Sequence, residues 1–250
     1  MRKVLVHYHL FKNAGTSVDQ CLNSSFGESW KAFDPPPNRG MYTSNEFEKI
    51  IKSNPDIVAF SSHCLVPPVR LSDIEVSPII ILREPISRIM SAFKFEWGVQ
   101  NEAPKTDNDL VAYVEKKFSM RRRNAIENFQ TMRLAVTDPS ATYPCNQLCD
   151  DEIYDNACQF IDSLPAFGLV EKFPESIEWL QSTYVNDFPK LELQPVSTNV
   201  TRIADLSLSD IHQQIENTVG SKLYAEIVAR NLLDIRLYAY ASQRFSALRR

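Results

Sequence analysis

The sequence predicts a single α/β domain with a central parallel sheet flanked by helices, and three observations lead there. Four near-continuous apolar runs, KVLVHYHL (3–10), DIVAFSS (56–62), PIIILR (78–83) and AFGLVE (166–171), have the composition of strands buried on both faces. Helical patterns lie between them, and that alternation packs helices onto a parallel sheet. The 250 residues, 44% hydrophobic and 10% aromatic, suffice for one full core, and no composition break, internal repeat or low-complexity segment divides 1–250.

The elements follow in order. The first strand runs through a turn at Gly15 into a helix over 16–25 that opens on Thr16 and Ser17. Helices are expected over 44–53 and 85–97, the latter with Pro85 at its first position, where a missing N–H removes no bond. PESIEWLQSTYV begins another helix at Pro174, and Leu223, Ile227, Leu232, Ile235 and Tyr238 space out one long amphipathic helix over 219–246. Proline and polar clusters at 34–40, 99–109 and 137–151 read as loops.

Composition excludes several function classes. With 31 acidic against 27 basic residues the net charge is -4, so no global positive field draws nucleic acid, and any basic site must be local. No run of about 20 apolar residues could span a bilayer, and the N-terminal stretch is too short and polar for a secretory signal, so a soluble, cytoplasmic protein is expected. Five cysteines, an odd number without framework spacing, suit a reducing compartment. Cys145, Cys149 and Cys158 cluster without a CxxC pair or an obvious fourth ligand, leaving a disulfide or a zinc site open there.

Two segments carry chemistry. In HYHLFKNAGTSV (7–18) a buried strand meets a tight turn and a helix N-terminus, where unpaired N–H groups and the positive end of the helix dipole form an anion site to which Lys12 adds a full charge. The order is not that of a Walker loop, because Lys12 precedes the glycine. In PIIILREPISRIMSAF (78–93) Arg83 stands at the carboxyl end of a strand, where open α/β sheets place ligands, with Ser87 and Ser91 on one side of the following helix. A guanidinium fork and serine hydroxyls make a second phosphate site.

HLFKNAGTS and LREPISRIMSAF together resemble the 5′-phosphosulfate loop and the 3′-phosphate motif of the PAPS-dependent sulfotransferases, in the branch that includes the heparan sulfate 2-O-sulfotransferases. NFQTMRLA (128–135), FGLVEKFPESIEWL (167–180) and TNVT (198–201) extend the resemblance over roughly residues 3 to 245. It departs from the family pattern at Phe11, where proline is usual, at Asn13 and Ala14, and at Ser62, where glycine often precedes the histidine.

The resemblance implies a P-loop-NTPase-like sulfotransferase fold and the transfer of a sulfuryl group from PAPS to a hydroxyl of a carbohydrate or small molecule, releasing PAP, with no metal required. Lys12 would hold the 5′-phosphosulfate, with backbone N–H groups of Asn13, Ala14, Gly15, Thr16 and Ser17 and the hydroxyls of Thr16 and Ser17 completing the cradle. Arg83 and Ser91 would bind the 3′-phosphate. His63 stands where that branch has its base, and an imidazole titrating near neutrality can accept a hydroxyl proton. Glu84 and Glu96 are the alternatives; His9 is expected to be structural, and His212 has no evident partner. Arg121, Arg122 and Arg123, extended by Lys116 and Lys117, could receive an anionic acceptor or form a solvated face.

The family's Golgi members begin with a membrane anchor, so with Met1 at the start a cytoplasmic enzyme of bacterial type is expected rather than a trimmed domain. Two other readings stay open: a nucleotide-dependent small-molecule kinase, and a catalytically inactive nucleotide-binding protein on the same fold.

Overall fold

β1 (Arg2–Tyr8) is the strand around which the rest is arranged. Val4, Val6 and Tyr8 enter one core with Phe47, Phe60 and Phe245, while Leu5 enters another with Val18, Ala59 and Leu180. Both faces of β1 are therefore covered, which is why its sequence reads as an unbroken apolar run. The computed structural model describes residues 1–36, 40–98, 107–120, 124–194 and 207–249.

The four-stranded sheet has the order β2 (Trp30–Ala32), β3 (Ala59–Ser62), β1, β4 (Ile74–Ile79), and every pairing is parallel. After Ile80 the chain continues as β5 (Ile81–Leu82), which pairs in parallel with β6 (Gly168–Leu169). Helices α2 (Ser44–Ser53), α6 (Asp150–Ser163) and α10 (Leu232–Leu248) cover one face. Helices α1 (Gly15–Phe26) and α7 (Phe173–Tyr184) cover the other. The protein is a single α/β domain with a central parallel sheet flanked by helices.

A third apolar cluster lies outside the sheet layers. It joins α3 (Pro85–Gly98), α4 (Asp107–Ser119), α8 (Leu208–Val219) and α9 (Ser221–Arg230) through Ile89, Tyr113, Ile215 and Ile227. No described helix is long and apolar enough to cross a membrane.

Several elements depart from expectation. The run at 78–83 is two strands, and the longer begins upstream at Ile74; Pro78 is tolerated because β4 is the last strand of its sheet. β2 is only three residues long and shows no run in the sequence. The stretch 219–246 is not one helix: it breaks at Asn231, whose side chain donates to the Ile126 carbonyl at 2.8 Å and accepts from the Asn128 N–H at 3.2 Å. Helix α4 begins at Asp107, inside the stretch 99–109 read as a loop, and α6 begins at Asp150, inside the stretch 137–151 read the same way. All five cysteines are free thiols, with Cys145 and Cys149 exposed and Cys158 buried. The arginine run 121–123 and TNVT at 198–201 lie outside the described residues.

Candidate functional site

The carboxyl ends of β1, β3 and β5 deliver the three segments that matter: the Lys12 loop, His63 and Arg83. Between β1 and α1 the backbone is left-handed at Lys12 (φ 64°) and again at Ala14 (φ 60°). Each such non-glycine residue costs on the order of 1–3 kcal/mol, and strain of this kind gathers where a ligand is held. The turn is closed by Asn13 N–H to Leu10 and Ser17 N–H to Ala14, both 3.1 Å. The amides of Ala14, Gly15 and Thr16 have no acceptor among the described residues. Thr16 does not cap α1; Ala14 holds the cap position without a side-chain bond.

Gly15 has a specific reason. A Cβ there would lie 2.1 Å from the His9 ring, so only glycine lets the loop close over that imidazole.

Gln130 couples this loop to the second segment. It lies on a short helix, α5 (Phe129–Leu134), and its Oε1 accepts from Asn13 Nδ2 at 2.7 Å and from the Arg83 N–H at 2.9 Å, while its Nε2 donates to the Arg83 carbonyl at 2.8 Å. Asn13 Nδ2 also donates to the Ile81 carbonyl at 2.8 Å. The N-terminus of α5 is held by Asp234, which accepts from the N–H groups of Gln130 (3.0 Å) and Thr131 (2.7 Å). The fully buried Arg88 donates to the Ala125 carbonyl at 2.7 Å and lies 3.9 Å from Asp234.

Arg83 donates from Nη1 to the Lys12 carbonyl at 3.0 Å, so the two cationic residues meet. Burial works against the Arg83 charge, while the nearby Glu171 and Glu84 support it. Burial, and then the positive charge of Arg83, push the Lys12 ammonium below its ordinary value. Lys12 Nζ lies 4.4 Å over the Phe95 ring and has no carboxylate within ion-pair distance among the described residues. A lysine without a carboxylate partner among the described residues, beside a second cation, is an arrangement able to hold an anion. Ser91 is buried on α3, and Ser87 Oγ lies 3.4 Å from Arg83 Nε, making Ser87 the nearer hydroxyl.

His63 follows from strand register. Tyr8 faces Ser62 in the β1–β3 pairing, so the next residues on each strand, His9 and His63, are neighbours. Their rings stack with centroids 3.7 Å apart. Asp34, from the loop after β2, accepts from the His63 N–H at 2.8 Å and from Nδ1 at 2.9 Å. That hydrogen bond raises the His63 pKa above its ordinary value, with burial opposing. Because an ionised carboxylate can only accept, Nδ1 carries the proton and Nε2 is the basic atom of the neutral ring. His63 lines a cavity of about 300 Å³ together with Phe11, Glu96, Phe129, Arg133 and Tyr143.

Behind His63, Asp19 on α1 accepts from Nδ1 of both His7 and His9, each at 2.7 Å. Burial opposes the Asp19 charge, but the two imidazoles outweigh it and hold the carboxyl well below its usual range. Burial pushes His9 down to about 4. The ligand atoms of His7, His9 and Asp19 lie within 4.8 Å of one another, at the separations of hydrogen bonds to a shared carboxylate.

The alternative carboxylates are committed elsewhere. Glu84 accepts from the N–H groups of Ile86 (3.1 Å) and Ser87 (2.6 Å). Glu96 pairs with Lys117. His212, expected to stand alone, lies 3.2 Å from Glu84 and 3.1 Å from the Tyr224 hydroxyl. Sequence reasoning missed Asp34, Asp19, Gln130 and Arg133; Gln130 and Arg133 lay in a block singled out for its pattern, NFQTMRLA, without a role for either, and Asp34 was hidden in a proline-rich loop.

No family model matches the chain. The chain is 32% identical over 257 residues to an uncharacterized protein of Archaeoglobus fulgidus, with 95% of each chain covered. At that identity over nearly the whole length of both, the chain belongs to the same family as this archaeal protein.

Proposed function

We propose that the protein transfers a sulfuryl group from PAPS to a hydroxyl acceptor and releases PAP, on a sulfotransferase variant of the P-loop fold. The observation that carries the reading is the meeting of the two anion-binding segments, with Arg83 Nη1 on the Lys12 carbonyl and Gln130 bonded to both sides. One cation pair so placed fits a nucleotide with phosphate groups at both its 5′ and 3′ positions. The strand order and the ligand loops at the carboxyl ends support the fold assignment.

In this reading the acceptor oxygen attacks sulfur in line, forming the new S–O bond as the bond from sulfur to the bridging 5′-phosphate oxygen breaks. The acceptor proton passes to Nε2 of His63, and Asp34 stabilises the imidazolium. The electron pair of the broken bond leaves on PAP, where Lys12 and the free amides of the loop neutralise it. The acceptor is a carbohydrate or another small hydroxyl compound.

The test is transfer of radiolabelled sulfate from PAPS to a panel of sugars, phenols and alcohols. The reading predicts a labelled product with the wild type and a loss of about 10² or more in His63→Ala, without loss of PAP binding. PAP binding with no labelled product across the panel would instead identify a binding protein.

A further inference from the structure

The cavity beside His63 holds an arginine with no counter-charge among the described residues. Arg133 lines that cavity, and its Nη1 is shielded from solvent without a hydrogen-bond partner among the described residues. No carboxylate lies within ion-pair distance of it among the described residues; its guanidinium is 5.1 Å over the Phe129 ring. Burial pushes its pKa down to about 10, the direction expected of a charge removed from water without compensation. An unpaired guanidinium in such a place is costly, and the anion that offsets it elsewhere in proteins is a carboxylate, sulfate or phosphate gripped by the two-pronged fork.

The other charges of the cavity are already matched. Glu96 is paired with Lys117, and Glu127 accepts from Asn124 at 2.7 Å and lies 3.3 Å from Arg230. Phe11, Phe129 and Met132 supply an apolar wall. A volume of about 300 Å³ is at the small end of ligand pockets, room for one ring and its substituents.

We propose that Arg133 selects the acceptor: a small, ring-sized hydroxy acid whose anionic group docks on the guanidinium, whose apolar body lies against Phe11 and Phe129, and whose hydroxyl points to His63. This rests on the sulfuryl-transfer reading for the role of the hydroxyl, but not for the anion site. Arg133 is a specificity residue, separate from the donor machinery of Lys12 and Arg83.

The test compares acids with neutral isosteres of the same size by calorimetry, with and without PAP: 4-hydroxyphenylacetate against 4-hydroxyphenylacetamide, and methyl β-D-glucuronide against methyl β-D-glucoside. At least one acid should bind ten times more tightly than its neutral partner. Arg133→Gln should abolish the difference while leaving PAP affinity unchanged, and Arg133→Lys should retain part of it, which a merely misfolded variant would not. Absence of any acid preference, or absence of binding by both acids, overturns the proposal. So does a loss of PAP affinity in Arg133→Gln and Arg133→Lys alike, which would place the guanidinium on the donor. Acid preference in a protein that fails to bind PAP would leave the anion site standing and remove the sulfuryl-transfer reading alone.

Discussion

Asp34 holds His63 by two bonds at once, one carboxylate oxygen on the backbone N–H at 2.8 Å and the other on Nδ1 at 2.9 Å. The backbone bond fixes the carboxylate, so the side-chain bond fixes the ring. Asp34 is itself held below the usual carboxylate range: burial opposes its charge, but the His63 hydrogen bonds outweigh burial.

A first prediction concerns pH. His63 must be neutral to act as a base, and its pKa is raised by Asp34, so turnover should fall as pH drops through a value above 6.5. In Asp34→Asn the acid limb of the kcat profile should move to lower pH while the plateau drops, because the amide no longer stabilises the imidazolium. A limb at the same pH in both proteins would mean that Asp34 does not tune the base.

His9 predicts an acid sensitivity of folding. Its folded pKa of about 4 lies below the ordinary 6.5, so between those values the unfolded chain binds a proton that the folded one does not. Stability should therefore decline as pH falls from 6.5 towards 4, by a few kcal/mol if the whole shift is expressed. His63 acts in the opposite direction: its raised pKa contributes stability that is fully present below 6.5 and is lost as pH rises through the folded value. Urea unfolding of wild type and His9→Asn over this pH range separates the two, and the variant should show the shallower decline.

Much of the fold was legible because buried parallel strands write themselves as apolar runs, and β1 is the clearest case. Strands β2 and β5 were not separable, being three and two residues long, too short for any periodicity. The break at Asn231 escaped notice because its cause is tertiary: Asn231 bonds Ile126 and Asn128, and Asp234 bonds Gln130 and Thr131, more than a hundred residues away. At the site, Lys12 and Arg83 were singled out by their positions at strand ends, and His63 by the resemblance. Asp34 and Arg133 were not, since nothing in a single sequence records which loop carboxylate reaches a histidine or which arginine has no carboxylate among the described residues.

Gln130 makes a sharper test of coupling than either cation. Gln130→Ala removes bonds to Asn13 and to both backbone groups of Arg83, leaving buried polar groups unsatisfied at about 1–3 kcal/mol each. PAP affinity should fall about tenfold or more although no atom of Gln130 is assigned to the ligand. Unchanged affinity in a folded variant would show that the two segments hold their positions independently.

Gly15→Ala should be more damaging than a surface glycine change. Its Cβ would meet the His9 ring at 2.1 Å, so either the loop or the imidazole must move. Loss of PAP binding together with a lowered Tm is expected, and near-normal binding would show that the loop tolerates displacement.

The central claim is that Lys12 and Arg83 together read a nucleotide phosphorylated at both ends, and calorimetric titration with PAP and with ADP, without added metal, tests it most directly. The account predicts that PAP binds at least tenfold more tightly than ADP, about 1.4 kcal/mol. It also predicts that Arg83→Ala removes that preference, while Lys12→Ala weakens both ligands. Equal affinities for PAP and ADP in the wild type, or no binding of either, would contradict it.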